Sequence, residues 1–583
     1  MNPMPIAPPM EPAAPVDLTV DFPPLSAPMA WQAWAWQLLL SPMHQYRLAE
    51  LAMREAWRLG TVSVDASGGG AAALMAPAGR AAPSTASNDR RFEGPAWRQW
   101  PFGVYAQAFA AQQRWWREAT RPLPGLSEHS RRLVEFGARQ LLEATSPANF
   151  PATNPEVISA TVTESGANLL RGAVHLMDDL TRPHLRRPPA GAEAYRVGSE
   201  VAATPGRVVY RNRLIELIQY APRTPSAQAE PVLIVPAWIM KYYVLDLTPD
   251  RSLVDWLVGH GHTVFMVSWR NPDARDRERS MDDCLADGVL AALDTIGAIA
   301  PGRQVHAVGY CLGGTLLAIA AAAMARDGDD RLRTLSLFAA QTDFSEPGEL
   351  GRFIDEAQLC WLEQRMARTG YLDARQLAAA FALLRPGDRV WARAVREYLL
   401  GRRKPLDALS AWNADGTRIP ARMHAQYLRA LYLRNDLAEG RYLAGGRPVS
   451  LASIQAPVFL VATVADPVAP WQSVYELHRL TDAPITFALT TGGHSAGVVN
   501  PPPAEGEAAR RHYQIATRPP GQAGSTLDAQ RWRDTTSSTA GSWWTPWQRW
   551  LVEHGSGQAM PPPLGHDGLD YGRAPGWYVR IRH

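Results

Sequence analysis

The chain has 583 residues and a mass of 64.0 kDa, enough for roughly three to four domain equivalents at the usual size of about 100–200 residues each. Its 46% hydrophobic and 20% charged content excludes wholesale disorder. The 59 basic and 56 acidic side chains nearly cancel, so no charge excess points to nucleic acid, and the three scattered cysteines (Cys284, Cys311, Cys360) form neither a disulfide framework nor a metal cluster.

Residues 1–30 read as a Pro/Ala-rich disordered lead without lysine or arginine, so the basic start of an export signal is missing. No window reaches the ~18–20 apolar residues of a membrane span, which leaves a cytoplasmic protein with no transmembrane segment as the expectation. Residues 31–60 carry an amphipathic helical pattern, with Trp31, Trp34, Leu38, Leu48, Leu51 and Trp57 at helical spacing. Ser41-Pro42 splits it into two helices, because proline suits a first turn. The Gly/Ala/Ser/Pro-rich stretch 61–90 predicts a flexible linker. Residues 91–195 predict an α-helical N-terminal domain rich in aromatics (Trp97, Trp100, Phe109, Trp115, Trp116). The 21 tryptophans outnumber the 17 tyrosines and 13 phenylalanines, and rings with a polar edge favour boundaries between water and apolar phases.

From about residue 200 the texture changes. Strands are expected at Val208–Tyr210, Leu214–Tyr220, Val232–Val235, Thr263–Ser268, Gln304–Val308, Thr334–Phe338, Val458–Thr463 and Ile485–Leu489. Several are continuously apolar, as strands covered on both faces are. Helical segments lie between them, near 251–259, 280–299, 313–326 and 471–480, and this alternation implies a largely parallel sheet over 200–583. Between about 341 and 455 helical patterns dominate, so that block reads as a cap inserted between two sheet strands.

Val308-Gly309-Tyr310-Cys311-Leu312-Gly313-Gly314 lies between an apolar strand and an alanine-rich helix. This is the context in which G-x-S-x-G forms a nucleophile elbow, here with cysteine in place of serine. The tight turn requires small flanking residues and lifts the thiol to a helix N-terminus, where the dipole favours a thiolate. An α/β-hydrolase places its acid and histidine on loops after later strands. The strand Val458–Thr463 runs into Asp466, and Ile485–Leu489 into Gly492-Gly493-His494-Ser495. Leu312 is the expected first oxyanion donor, with Ile239, on the loop 236–243 after the third strand, as the guess for the second. His306 is expected in the core. Lys241, one of only two lysines in the chain, is expected to be solvated like most loop lysines. No ligand spacing suggests a metal, and no glycine-rich loop suggests a nucleotide cofactor.

Further segments carry a family resemblance: Asp89-Arg90-Arg91-Phe92, Ser146-Pro147-Ala148-Asn149-Phe150, Leu217-Ile218-Gln219-Tyr220, Lys241-Tyr242-Tyr243-Val244-Leu245-Asp246-Leu247, Val267-Ser268-Trp269-Arg270-Asn271-Pro272, Asp343-Phe344-Ser345 and Gly541-Ser542-Trp543-Trp544. With the cysteine elbow and the histidine loop, they make the chain resemble the single-subunit poly(3-hydroxyalkanoate) synthases over about residues 30–580. The resemblance implies an α/β-hydrolase fold with a helical cap and a Cys311–His494–Asp466 triad. It implies polymerisation of (R)-3-hydroxyacyl-CoA with release of coenzyme A, through a cysteine acyl-thioester and with no further cofactor. It also implies a homodimer at the surface of polyhydroxyalkanoate granules. Which arginines would hold coenzyme A is not selected, and either His494 or Asp466 is left to activate the incoming 3-hydroxyl. Two positions depart from the family's habit: Pro467 follows the aspartate where histidine is frequent, and Met240 stands where asparagine is frequent. Two other readings share some of these features, a thioesterase or depolymerase that delivers the acyl group to water and a non-enzymatic granule-surface protein. An intact nucleophile, acid and histidine in the right order disfavour the second, while the helical N-terminal domain and long cap disfavour the first.

Overall fold

The computed structural model describes residues 26–67, 89–185, 187–384, 390–525, 527–565 and 568–582. Its centre is a ten-stranded sheet made of β1 (Gly206–Arg211), β2 (Ile215–Tyr220), β3 (Val232–Val235), β4 (Val264–Trp269), β5 (Val305–Tyr310), β6 (Leu332–Phe338), β7 (Val458–Thr463), β8 (Ile485–Thr490), β9 (His512–Arg518) and β10 (Ser538–Ala540). The spatial order is β1-β2-β4-β3-β5-β6-β7-β8-β9-β10. The run from β4 through β8 is parallel, and antiparallel pairs close both edges. Every residue of β2, β3, β4, β5, β7 and β8 is buried. Burial on both faces suits strands without polar–apolar alternation, and polar side chains enclosed with them, such as Glu216 and Gln219 of β2 and His306 of β5, are hydrogen-bonded.

Within this α/β part, α7 (Leu253–Gly259) precedes β4, a helical run over 281–299 precedes β5, and α8 (Leu312–Asp327) follows β5 directly. Alanine occupies most of the middle of α8, so the helix packs close between the sheet and its surroundings, and Leu312 through Met324 are all buried. Between β6 and β7 the chain leaves the sheet for a largely helical block that includes α9 (Glu356–Thr369), α10 (Ala374–Leu384) and α11 (Ala421–Tyr427). After β8 come a short α12 (His494–Val498) and then α13 (Trp544–Glu553), which buries Trp544, Trp547 and Trp550.

The N-terminal half is helical. Its first two helices, αN1 (Ser26–Leu39) and αN2 (Pro42–Ser67), break where Pro42 starts the second. They are followed by αN3 (Phe102–Ala119), αN4 (Glu128–Thr145), αN5 (Pro155–Thr163) and αN6 (Ala167–Thr181). The Trp34 indole donates to the Ala119 carbonyl at 2.8 Å, and its ring meets Trp31 and Trp116. Arg114 on αN3 pairs with the buried Glu55 of αN2 at 2.6 Å.

Three expectations need correction. The first helix begins at Ser26, inside the expected disordered lead, and the second continues to Ser67, inside the expected linker. No proline interrupts 43–67, so nothing breaks the intrahelical bonds there; of the two stretches, 1–25 and 68–88 lie outside the described residues, and at the expected linker's end Asp89 caps a short turn that starts at Arg90. Trp57 is 72% exposed rather than aligned with buried Leu48. It sits nine positions further along, about half a turn out of phase at 3.6 residues per turn. Among the described residues no helix is long and apolar enough to cross a membrane.

Candidate active site

Cys311 caps the N-terminus of α8 directly after β5, with φ 53° and ψ −126°. A side chain in the positive-φ region is strained and persists only where its surroundings enforce it. Here they do. The Cys311 N–H donates to the Phe338 carbonyl of β6 at 2.9 Å, and the Cys311 carbonyl accepts from Gly314 N–H at 2.9 Å. The small residues are a packing requirement as well. A Cβ on Gly309 would lie 2.4 Å from the Gly314 Cα, and one on Gly313 would lie 2.2 Å from the Val235 carbonyl oxygen. The elbow thus fits only with glycine at both places. Leu312 opens α8, and a first-turn N–H has no acceptor within its own helix.

The loop after β3 is held by its carbonyls. Trp269 Nε1 donates to Pro236 O at 2.8 Å, and the Thr417 hydroxyl to Trp238 O at 2.6 Å. The Thr417 N–H donates to Ile239 O at 3.2 Å, and Trp412 Nε1 to Lys241 O at 2.7 Å. The two helical-block residues, Trp412 and Thr417, therefore fix a loop whose Ile239 lines the same cavity as Cys311.

Asp466 lies just past the end of β7 with no side-chain exposure. Its Oδ1 accepts from the N–H groups of Val468 and Ala469 at 2.8 and 2.9 Å, and its Oδ2 accepts from Thr463 at 3.3 Å. Pro467, the departure from the family habit, has no N–H to offer and is bypassed by this turn. Asp466 Oδ2 also stands 2.7 Å from His494 Nδ1. Burial opposes a charge on the ring, but the Asp466 carboxylate, with Tyr310 and Cys311, outweighs it and holds the imidazole well above the usual histidine range. The Tyr310 ring lies 5.5 Å from that imidazole and its hydroxyl donates to Ser495 Oγ at 3.0 Å, while burial pushes its pKa up to about 12.

A cavity of about 660 Å³ joins these groups; Cys311, His494, Ile239 and Met240 are on its wall, and Asp466 is behind it. Its wall also draws on distant parts of the chain: Arg182, Arg187 and Tyr195 from the N-terminal half, Arg375 and Phe381 from α10, and Arg582. Buried strand residue His306 is a core histidine as expected, bonded to Thr334 Oγ1 at 2.8 Å, and burial pulls its pKa down to about 4.

Against this geometry, residues 88–257 match the family described as poly-beta-hydroxybutyrate polymerase (PhaC) N-terminus, and residues 230–501 match the α/β-hydrolase fold. The chain is 40% identical over 499 residues to a poly(3-hydroxyalkanoate) polymerase of Methylorubrum extorquens, covering 85% of this chain and 81% of that one. The chain belongs to the poly(3-hydroxyalkanoate) polymerase family. It is also 39% identical to the polymerase subunit PhaC of Rhizobium meliloti (85% of this chain, 80% of that one) and 35% identical to that of Cupriavidus necator (86% and 85%).

Some site residues escaped the sequence reading. In this family member the tryptophan pair after Gly541-Ser542 holds the histidine's own helix: the indoles of Trp543 and Trp544 donate to Gly497 O and Val498 O at 3.0 and 2.9 Å. Buried tryptophans need acceptors for their N–H groups, but the motif alone does not say which. Lys241 overturns its expectation altogether. It is 2% exposed, because the chain near residue 580 folds back over it and supplies carbonyl acceptors.

Proposed function

We propose that the chain polymerises (R)-3-hydroxyacyl units from their coenzyme A thioesters, with Cys311 as nucleophile, His494 as base and Asp466 as the carboxylate that orients the ring. His494 Nε2 takes the Sγ–H proton, the sulfur attacks the thioester carbonyl, and the N–H groups of Leu312 and Ile239 receive the oxyanion. Collapse of the tetrahedral species breaks the bond to coenzyme A, whose sulfur leaves with the proton from His494, and the acyl group remains on Cys311. Thioester replaces thioester, so this loading is nearly neutral in energy. In the second half, a 3-hydroxyl gives its proton to His494 and attacks the acyl carbonyl on Cys311; the C–S bond breaks, the Cys311 sulfur leaves and takes the proton back, and the acyl group passes to the hydroxyl oxygen as the polyester bond.

The buried pairing of His494 Nδ1 with Asp466 Oδ2 at 2.7 Å carries this reading. It also favours His494 for activating the hydroxyl. The Asp466 oxygens accept from two backbone N–H groups and Thr463 and pair with His494, and Asp466 itself is not part of the cavity wall. Enclosure by α10 and the N-terminal half restricts water, which supports polymer rather than free acid as the product. Cys311→Ala is expected to abolish thiol release from 3-hydroxybutyryl-CoA, and normal turnover in that variant would remove the assignment. With the intact chain, insoluble polyester is expected; free 3-hydroxy acid as the main product would turn the reading to a thioesterase.

A further inference from the structure

Lysine is scarce in this chain, and one of its two lysines is buried beside the site: Lys241 and Lys404 are the pair, and only Lys404 is exposed. Burying an amino group is costly unless it is bonded. Lys241 Nζ donates to Ile581 O at 2.7 Å and to Tyr578 O at 3.4 Å. These carbonyls belong to segment 577–582, which is itself anchored to β2: the N–H groups of Trp577 and Tyr578 both donate to Glu216 Oε2 at 2.9 Å, and the Tyr578 hydroxyl to Asn212 O at 2.6 Å. Burial lowers the Lys241 pKa to about 8; Asp415 opposes that shift and Arg582 adds to it.

Lys241 lies two positions after Ile239. The helical block holds the loop from one side through Trp412 and Thr417. Lys241 holds it from the other. We propose that Lys241 is a positioning residue: its amino group clasps segment 577–582 to the loop 236–243 and so fixes the Ile239 N–H that receives the oxyanion. This rests on the acyl-transfer reading above. It makes segment 577–582 part of the catalytic architecture.

The test is thiol release from 3-hydroxybutyryl-CoA, measured on the full chain with Lys241→Met, on a chain ended at Gly576, and on the two changes combined. Lys241→Met is expected to lower kcat about 100-fold with KM within about threefold, the size of effect that an ångström-scale misplacement of a transition-state donor produces. Amide exchange should speed up about tenfold in both 236–243 and 577–582. Lys404→Met serves as control and should change neither. Because both changes undo one clasp, the combined variant should lose no more than the worse single one.

A kcat within twofold of the parent in Lys241→Met, or a combined loss equal to the product of the single losses, overturns the clasp. If Lys241→Met folds poorly, the chain ended at Gly576 decides alone: equal loss of kcat and faster exchange in 236–243 uphold the clasp, and unchanged values overturn it. Cys311→Ala in the same assay separates the two ideas. Turnover surviving that change sinks the acyl-transfer reading, whereas multiplying losses with an inactive Cys311→Ala sink only the clasp.

Discussion

At His494 burial and charge pull in opposite directions, and the Asp466 carboxylate decides the outcome by raising the ring's proton affinity. The carboxylate also sets the tautomer, since a proton on Nδ1 leaves Nε2 free to accept from the thiol. Asp466→Asn separates these roles with little disturbance to the fold. The amide oxygen must take the place of Oδ1, where two backbone N–H groups donate. That puts the NH2 group in the place of Oδ2, facing His494 Nδ1, and forces the ring proton onto Nε2. Thiol release is then expected to fall by about 10⁴-fold at unchanged thermal midpoint, the scale of loss that a wrong tautomer causes in a serine triad. Activity within tenfold of the parent would mean that Asp466 does not orient the ring. The placement of Cys311, Asp466 and His494 just past the ends of β5, β7 and β8 was legible in the sequence, because each follows a strand whose end the sequence makes visible. Lys241 was not, because its burial depends on a segment some 340 positions away.

Among the elements, legibility followed burial on both faces. The ranges expected for β3 and β7, apolar except for Thr463, agree to the residue with those observed. β9 went unseen: His512–Arg518 is half-exposed and mixes polar with apolar residues, so it is recognisable only through its pairing with β8 and β10. The helix α13 was hidden in the same way, since its Trp residues read equally well as motif or core. The strand–elbow–helix unit was visible as a pattern, but its tolerance is set by contacts between segments. At Gly313 an added methyl would meet the Val235 and Pro236 main chain, at 2.2 and 2.5 Å, and main chain cannot rotate away. Gly313→Ala must therefore push α8 from the end of β3, separating the two oxyanion donors. We expect a loss of about 1–3 kcal/mol in urea unfolding, as for overpacked cores, together with about a 100-fold fall in kcat. A variant that keeps both values shows that the helix start has slack.

On the scale of the whole molecule, the N-terminal half reaches the cavity by way of αN6. Asn168 Nδ2 donates to Leu399 O at 2.8 Å, and His175 Nδ1 stands 3.0 Å from Glu397 O. Asp179 accepts from Tyr398, Arg393 and Arg403 at 2.8, 2.9 and 2.8 Å. The closest approach is at Gly172, where a Cβ would lie 1.8 Å from the Tyr398 carbonyl oxygen. Any side chain there has to lift αN6 away from 390–403, a contact that helical periodicity in either segment alone does not reveal. Since Arg182, Arg187 and Tyr195 follow αN6 onto the cavity wall, lifting the helix opens that wall without touching the triad. Gly172→Leu is thus expected to raise KM for 3-hydroxybutyryl-CoA at least about tenfold, equivalent to about 1.4 kcal/mol of lost binding. It should also raise the share of free 3-hydroxy acid among the products, because water gains access to the acyl-enzyme. Kinetics with product analysis by chromatography measures both, and Cys311 alkylation at the parent rate verifies that the elbow is intact. If KM and the acid share both stay at parental values, the N-terminal half is a passenger on the cavity and the enclosure must come from α10 and its neighbours alone.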